Sequence, residues 1–327
     1  MNFNDIIGQN EIVDKLEHSF TSGRIGHAYI FSGPDGIGKK TVAGIFAALL
    51  LCDNPLHVCA CGKCQACILQ SNGSNPDFHR IRAEGTSIGV EEIRNIQSDV
   101  TIRPMYSKRK VYIVEDADRM TIQAQNSLLK TLEEPPAYVV IILTASNYDA
   151  LLETVRSRSQ RLKFRKNSYQ QVRYAVEQKY GREVKGIDFS TGYADGVIGT
   201  ALELAGDGEL IQIREKIFEI LTGLPQTRLS DVFGLVGFFE ENKDYMDIIF
   251  DMMVSFYRDM IMMNETENEN MLINSDKKDI IFNNAQVFLL QRLIANIELI
   301  EAARRAVKQN ANYQLAIEYM LFKLRED

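Results

Sequence analysis

Gly33-Pro34-Asp35-Gly36-Ile37-Gly38-Lys39-Lys40-Thr41 decides how the rest of the chain is read. Gly33, Gly38 and Lys39 match the phosphate-binding pattern G-x-x-x-x-G-K-[ST]. In that pattern the glycines let backbone N–H groups curl around phosphate oxygens, and the lysine reaches the β- and γ-phosphates. The next residue should be Ser or Thr, whose hydroxyl holds Mg²⁺, and here it is Lys40. An ammonium cannot ligate a cation, and it adds positive charge where the metal belongs. The stretch combines the architecture of a nucleotide-hydrolysing loop with impaired chemistry. Thr41 is the nearest hydroxyl that could shift to reach a metal.

Outward from this loop, the first half alternates strand and helix signals. Residues 27–32 read as a buried strand feeding the loop, and residues 39–51 as an apolar helix leaving it. Residues 78–82 are a short strand candidate and 90–100 an amphipathic helix. The run 111–114 is a buried parallel strand by its length and branching, and it ends in Glu115-Asp116. Residues 121–134 form a helix stopped by Pro135-Pro136. Residues 138–143 are a further buried strand, and 162–164 end the series. Strands separated by helices predict a parallel α/β sheet covered on both faces. After residue 166 the strand signals fade. Helices are expected over 169–180 and 198–205, then long amphipathic stretches over 228–264 and 284–326, with residues 264–270 as a polar loop. The reading is an α/β domain over 1–166, a small helical domain over 167–208 and a larger helical domain over 209–327.

The 327 residues are 45% apolar and 25% charged, ordinary for a soluble globular protein. The formal net charge of −7 argues against non-specific nucleic-acid binding over the whole surface. The acidic surplus lies after residue 166. Before it, Arg156, Arg158, Arg161, Lys163, Arg165 and Lys166 form a basic run, which suits either a solvated edge strand or a surface meeting phosphate. The first residues show no secretory signal, and no apolar run approaches the ~20 residues a membrane span needs, so a cytoplasmic, non-membrane protein is expected.

Two side-chain groups point to cations. Glu115 and Asp116 sit where a nucleotide-binding strand places the acids that orient Mg²⁺ and activate water. The usual order is Asp then Glu, and the inversion shifts each carboxylate by a methylene. All five cysteines lie between residues 52 and 67. Cys52, Cys61, Cys64 and Cys67 follow C-x8-C-x2-C-x2-C, a spacing that suits four thiolates around structural Zn²⁺. Redox chemistry and plain burial are the alternatives, and Cys59 or His57 could substitute for a ligand.

Further strings carry a resemblance. Phe3-x-Asp5-Ile6-Ile7-Gly8-Gln9, the run Gly23 to Gly33, Asn126-Ser127-Leu128-Leu129-Lys130-Thr131-Leu132-Glu133-Glu134-Pro135-Pro136 and Thr154-Val155-Arg156-Ser157-Arg158-Ser159 resemble the bacterial clamp-loader AAA+ subunits. The resemblance is strong over 1–165, weaker over 166–207, and mostly of helical pattern afterwards, although Asn312 to Glu318 is similar to the last collar helix of these subunits. It implies an AAA+ α/β domain with a zinc-binding insertion over 52–67, a lid over 167–208 and an oligomerisation collar over 209–327. Val287, Leu290, Leu293 and Ile294 are then candidates for collar contacts.

The family contains ATP-hydrolysing gamma/tau motors and a delta-prime type whose own site looks disabled. Three departures point to the latter: Lys40, the inverted Glu115-Asp116 pair, and Gly199 where the motors' G-x-x-R-x-A-L carries a phosphate-sensing arginine. The degenerate site would comprise Gly33, Gly36, Gly38, Lys39, Lys40, Thr41, Glu115, Asp116 and Ser146, the last at the first-sensor position. ATP or ADP binding there is in question, and no independent ATPase or polymerase activity is expected. Arg158, in the Ser-Arg-Ser context, is implied to reach the ATP of a neighbouring subunit as an arginine finger. The implied partners are gamma/tau and delta subunits and, through the complex, the sliding clamp and primer–template DNA. Arg94, Arg103, Lys108, Arg109 and Lys110 are candidate DNA contacts. An ATP-hydrolysing gamma/tau-like motor is the competing reading, and a zinc-dependent nucleic-acid module a third.

Overall fold

The computed structural model describes residues 2–83, 85–266 and 272–326. Five strands, β1 (Ala28–Ser32), β2 (Phe78–Ile81), β3 (Lys110–Val114), β4 (Val139–Ala145) and β5 (Gln160–Lys163), form one parallel sheet in the order β2-β3-β4-β1-β5. The apolar runs explain which strands sit in the middle. Every residue of β1, β3 and β4 is buried, whereas the edge strands β2 and β5 are partly exposed. Parallel strands must cross over through helices, so both faces of the sheet are covered.

The first half contributes helices α1 (Asn10–Thr21), α2 (Lys39–Leu51), α3 (Gln65–Ser71), α4 (Val90–Asp99), α5 (Ile122–Glu133) and α6 (Glu153–Arg156). Side chains alternate across a strand, and two apolar cores result. Tyr29, Phe31, Val111, Ile113, Val140 and Ile142 share one with α1 and α2. Ile30, Tyr112, Val114, Ile141 and Leu143 share the other with α4 and α5. The Thr121 hydroxyl caps α5 by accepting from the Ala124 N–H at 3.2 Å. Glu134 leaves helical geometry just before the prolines, as the sequence requires.

The remaining helices are α7 (Tyr169–Tyr180), α8 (Ile187–Tyr193), α9 (Ile198–Gly206), α10 (Gly208–Gly223), α11 (Leu229–Glu241), α12 (Met246–Thr266), α13 (Lys278–Ala285), α14 (Leu290–Lys308) and α15 (Tyr313–Arg325). The two long amphipathic stretches are thus each broken. A turn at 243–245 separates α11 from α12, and α14 ends at Lys308 before α15 begins. In the expected loop at 264–270, residues 264–266 are the end of α12, and 267–270 lie outside the described residues.

The chain divides into two compact units: Met1–Gln171 with Gly196–Gly199, and Val172–Asp195 with Thr200–Asp327. The stretch 167–208 is shared between them. The helical unit has its own core, built from residues such as Ile217, Val236, Phe250, Phe256, Ile300 and Leu321. Arg214, 1% exposed, is held there by Asn274 and Asp276 and lies over the rings of Phe189 and Phe218. Leu293 is buried in this core, while Val287 and Ile294 remain exposed. No described helix is long and apolar enough to cross a membrane.

Candidate nucleotide site and cysteine cluster

The phosphate loop leaves the end of β1 and turns into α2. Gly38 has φ 102°, which only glycine adopts without strain, and it sets Lys39 as the first residue of α2. The Gly33 N–H donates to the Ala145 carbonyl at 3.1 Å, fixing the loop beside the end of β4. Lys39 is only 3% exposed. Its ammonium donates to the carbonyls of Gly33 at 2.5 Å and Pro34 at 2.8 Å and to the Ser146 hydroxyl at 3.0 Å. Burial pushes its pKa down, against the opposing charge of Asp35. Ser146 in turn donates to Asp35 at 2.5 Å, and this bond holds the Asp35 carboxyl below its usual range.

The structure therefore brings the loop, Lys39 and Ser146 together. It also brings Lys40 to the acids. The Lys40 ammonium lies 2.8 Å from Asp116 Oδ2 and 3.4 Å from Glu115 Oε2. Burial alone would lower its pKa, and the hydrogen bond and charge of Asp116, with the charge of Glu115, more than offset this and raise it. Glu115 is 4% exposed and also meets Arg80 at 3.3 Å and Arg82 at 3.1 Å. One carboxylate thus faces three cations. Asp116 occupies the left-handed region at φ 53°, and its N–H donates to Thr144 Oγ1 at 3.1 Å. Thr41 is exposed on the first turn of α2.

The basic run around residue 160 is not one surface. Arg156 and Arg161 lie over the ring of Tyr148, at 5.2 and 3.5 Å, and Arg156 pairs with Asp149. Arg158 turns elsewhere. Its guanidinium donates to the Thr154 carbonyl at 3.1 Å and pairs with Glu133 at 2.9 Å, and neither partner belongs to the phosphate loop. Among the DNA candidates, Lys110 must be withdrawn. It is 3% exposed, with its ammonium on Asp99 and on the carbonyls of Asp99 and Ile102, because it opens a central strand. Arg94 pairs with Glu91, and Arg103 and Lys108 are exposed.

The sulfur atoms of Cys52, Cys61, Cys64 and Cys67 all lie within 4.8 Å of one another. A tetrahedral ion with Zn–S bonds of about 2.3 Å needs S···S edges of about 3.8 Å, so the four thiols fit one metal ion with little movement. Cys52 closes α2, Cys64 stands at the N-cap position of α3 and Cys67 lies in its first turn, so two helices fix three of the four. The N–H groups of Lys63 and Cys64 point at Cys61 Sγ, at 3.4 and 3.3 Å, and pull that thiol down to about 6. Burial raises Cys52 and Cys67. Cys59 and His57 stand outside the group of four. Cys59 instead exchanges backbone hydrogen bonds with Leu56.

Sequence reasoning missed four site contacts: Asp35 with Ser146, Arg80 and Arg82 with Glu115, Glu133 with Arg158, and Gly199 with the loop. Only the second carries a signal. Arg80 in the edge strand and Arg82 just past its end are two residues apart and reach the same side.

A parallel sheet with strand order β2-β3-β4-β1-β5, a phosphate loop after β1 and an acid pair after β3 define a P-loop protein of the AAA+ class, followed by helices and carrying a four-cysteine insertion. The family model described as "DNA polymerase III, delta subunit" matches residues 8–168, and "DNA polymerase III, delta subunit, C terminal" matches residues 208–326. The DNA polymerase III subunit delta' of Bacillus subtilis is 28% identical over 97% of this chain and 96% of its own length. The tau subunit of the same organism is 27% identical over 98% of this chain, which spans 61% of that longer relative. A DNA polymerase III gamma-subunit-related protein of Thermotoga maritima has the same fold, with TM-score 0.51 at 20% identity, covering 95% of this chain and 99% of its own. The chain belongs to the DNA polymerase III clamp-loader subunit family.

Proposed function

We propose that this chain is a delta-prime-like, non-hydrolysing clamp-loader subunit that works in the cytoplasm. It assembles with gamma/tau and delta subunits and helps place the sliding clamp on primed DNA. One observation carries the reading: the Lys40 ammonium sits on Asp116 and beside Glu115, where a hydrolysing site needs a metal ion. A cation fixed by a covalent tether cannot bridge phosphate oxygens as Mg²⁺ does, so in-line hydrolysis loses its main electrostatic support.

In this reading the chain's contribution to chemistry is made at a neighbour's site. Arg158 supplies a guanidinium to the neighbour's ATP, and a finger given in trans is worth ~10³–10⁵ in rate. Its present partners suit that role. Glu133 and the Thr154 carbonyl keep the side chain ordered, and both are weak enough competitors to yield to a polyphosphate. The four cysteines hold structural Zn²⁺, which stabilises the insertion and leaves no open position for a substrate. The exposed residues Val287 and Ile294 offer apolar surface to neighbouring collar helices.

The test is DNA-stimulated ATP turnover by a reconstituted loader containing either the parent chain or Arg158→Ala, with the isolated chain run separately. Turnover at the affected site should fall by about a thousandfold or more, with assembly intact by size-exclusion chromatography, and the isolated chain should be silent. The similarity to tau keeps a gamma/tau-like motor as the second reading. Turnover by the isolated chain that survives Arg158→Ala would establish it.

A further inference from the structure

The phosphate loop touches a segment far away in sequence. The N–H of Gly199, at the start of α9, donates to the carbonyl of Gly36 at 2.9 Å. Gly36 lies in the middle of the loop, and Gly199 belongs to the same unit. A Cβ at position 199 would stand 2.7 Å from Gly36 O, 2.8 Å from its Cα and 3.1 Å from its carbonyl carbon. All three are backbone atoms, so no rotamer change relieves the clash. The contact exists because residue 199 has no side chain.

The segment that carries Gly199 is itself anchored. The Gly196 carbonyl accepts from the Asn167 N–H at 2.9 Å and from its side-chain amide at 3.1 Å. Asn167 lies two residues after Arg165, whose N–H and carbonyl are both taken by the Gln9 side chain. Val197 and the loop's Ile37 are buried in the same apolar core. Within the loop, the groups a nucleotide would engage are already engaged. Lys39 serves the Gly33 and Pro34 carbonyls, Ser146 serves Asp35, and the Asp35 carboxylate lies 3.5 Å from Lys39, where it stands in for an incoming anion. One of the donors that every helix N-terminus leaves unpaired is satisfied by the loop itself.

We propose that the start of α9 latches the phosphate loop shut, and that Gly199 is the residue that decides it, so that nucleoside di- and triphosphates are kept out by closure as well as by the chemistry of Lys40. The inference deepens the non-hydrolysing reading above and rests on it. An apparent affinity is reduced by the fraction of molecules in the competent form. Opening the latch therefore recovers affinity without adding any contact to the ligand.

The experiment is equilibrium binding of ADP and ATP, in EDTA and in Mg²⁺, to the full chain and to Gly199→Ala. Phosphate release is recorded on the same samples, and folding is checked by circular dichroism. The variant should bind about tenfold tighter or better than the parent, and neither should release phosphate. A parent that binds as tightly as the variant overturns the latch and leaves the non-hydrolysing reading standing. A folded variant that, like the parent, binds neither nucleotide also overturns it, since Lys40 alone then explains exclusion. Phosphate release by the parent overturns the non-hydrolysing reading and the latch with it. If Gly199→Ala does not fold, hydrogen exchange at the parent's Gly199 amide decides. Slow exchange that ADP leaves unchanged supports the latch. Fast exchange, or any shift on adding ADP, overturns it.

Discussion

Two clusters of ionisable groups in the α/β unit differ in what stands against them. Glu115 and Asp116 are surrounded by cations of the chain itself: Lys40, Arg80 and Arg82. The four thiols at Cys52, Cys61, Cys64 and Cys67 have a different setting. Among the described residues their hydrogen-bond partners are backbone N–H groups and one another, with no cationic side chain. The first cluster is complete without an ion from solution. The second has no cation of the chain's own, and its four sulfurs could hold a metal ion. The same unit thus supplies the counter-charge of the first cluster itself and leaves the second as a group that could hold an ion from outside. The acid pair is therefore already met from within, by Lys40 and two arginines.

That contrast is most easily undone at the cysteines. Structural zinc contributes about 10–16 kcal/mol in isolated finger peptides, so its removal should have the largest effect on the unit. A strong chelator, or Cys61→Ser, should lower metal content from one equivalent towards none and open residues 52–71 to protease. The parallel sheet should survive. Metal analysis with limited proteolysis measures this, and an insertion that stays protected without metal would erase the contrast. At the acid pair the same chelator should change nothing.

The next effect is the loss of Glu115. Removing one partner of a buried ion pair costs about 3–5 kcal/mol, because the opposite charge is left uncompensated. Glu115→Ala leaves Arg80 and Arg82 without their carboxylate and Lys40 with Asp116 alone, but all three cations are partly exposed, so the lower end of that range is expected from urea unfolding. Lys40→Thr should cost less, within about 1 kcal/mol, since it releases a half-exposed pair. It also probes the acid pair directly. Mg²⁺ should raise the melting temperature of Lys40→Thr and leave the parent unchanged, as a ligand that binds only the folded variant must. A parent stabilised by Mg²⁺ would mean that Lys40 has not taken the metal's place.

How much of this is legible in the sequence depends on distance along the chain. The loop, its odd Lys40 and the spacing of the cysteines are local patterns, and β1, β3 and β4 announce themselves because both faces of each are apolar. The breaks in the long helical stretches are only partly legible. Asn312 caps α15 by accepting from the Leu315 N–H at 3.0 Å, a signal the sequence carries, whereas the turn at 243–245 before α12 follows Asn242, which makes no side-chain cap. The contacts that complete the site join residues far apart in sequence. Arg82 meets Glu115, Glu133 meets Arg158, and Gly199 meets Gly36. No single-sequence pattern encodes a pairing that only the sheet order creates. Gly199 is visible in the sequence as a missing arginine. That its missing side chain makes room for backbone contact is visible only in the fold.

The smallest effect tests the one carboxylate that the loop keeps for itself. The Ser146 hydroxyl, and after it the charge of Lys39, hold the Asp35 carboxyl below its usual value, although burial pulls the other way. A carboxyl lowered on folding adds stability above its unfolded value of about 3.9. That stability is lost as pH falls through the lower folded value, because the unfolded chain takes up the proton first. Asp35→Asn keeps the shape and an oxygen that accepts from Ser146, but it removes the titration. The melting temperature of Asp35→Asn should therefore fall less steeply than the parent's as pH drops below about 4. Asp35 is largely exposed, so the difference should be small, and it should shrink further in high salt. Acid limbs of identical slope would show that Lys39 finds its balance in the Gly33 and Pro34 carbonyls alone. The loop would then differ from the Glu115 cluster, where charge is met by charge.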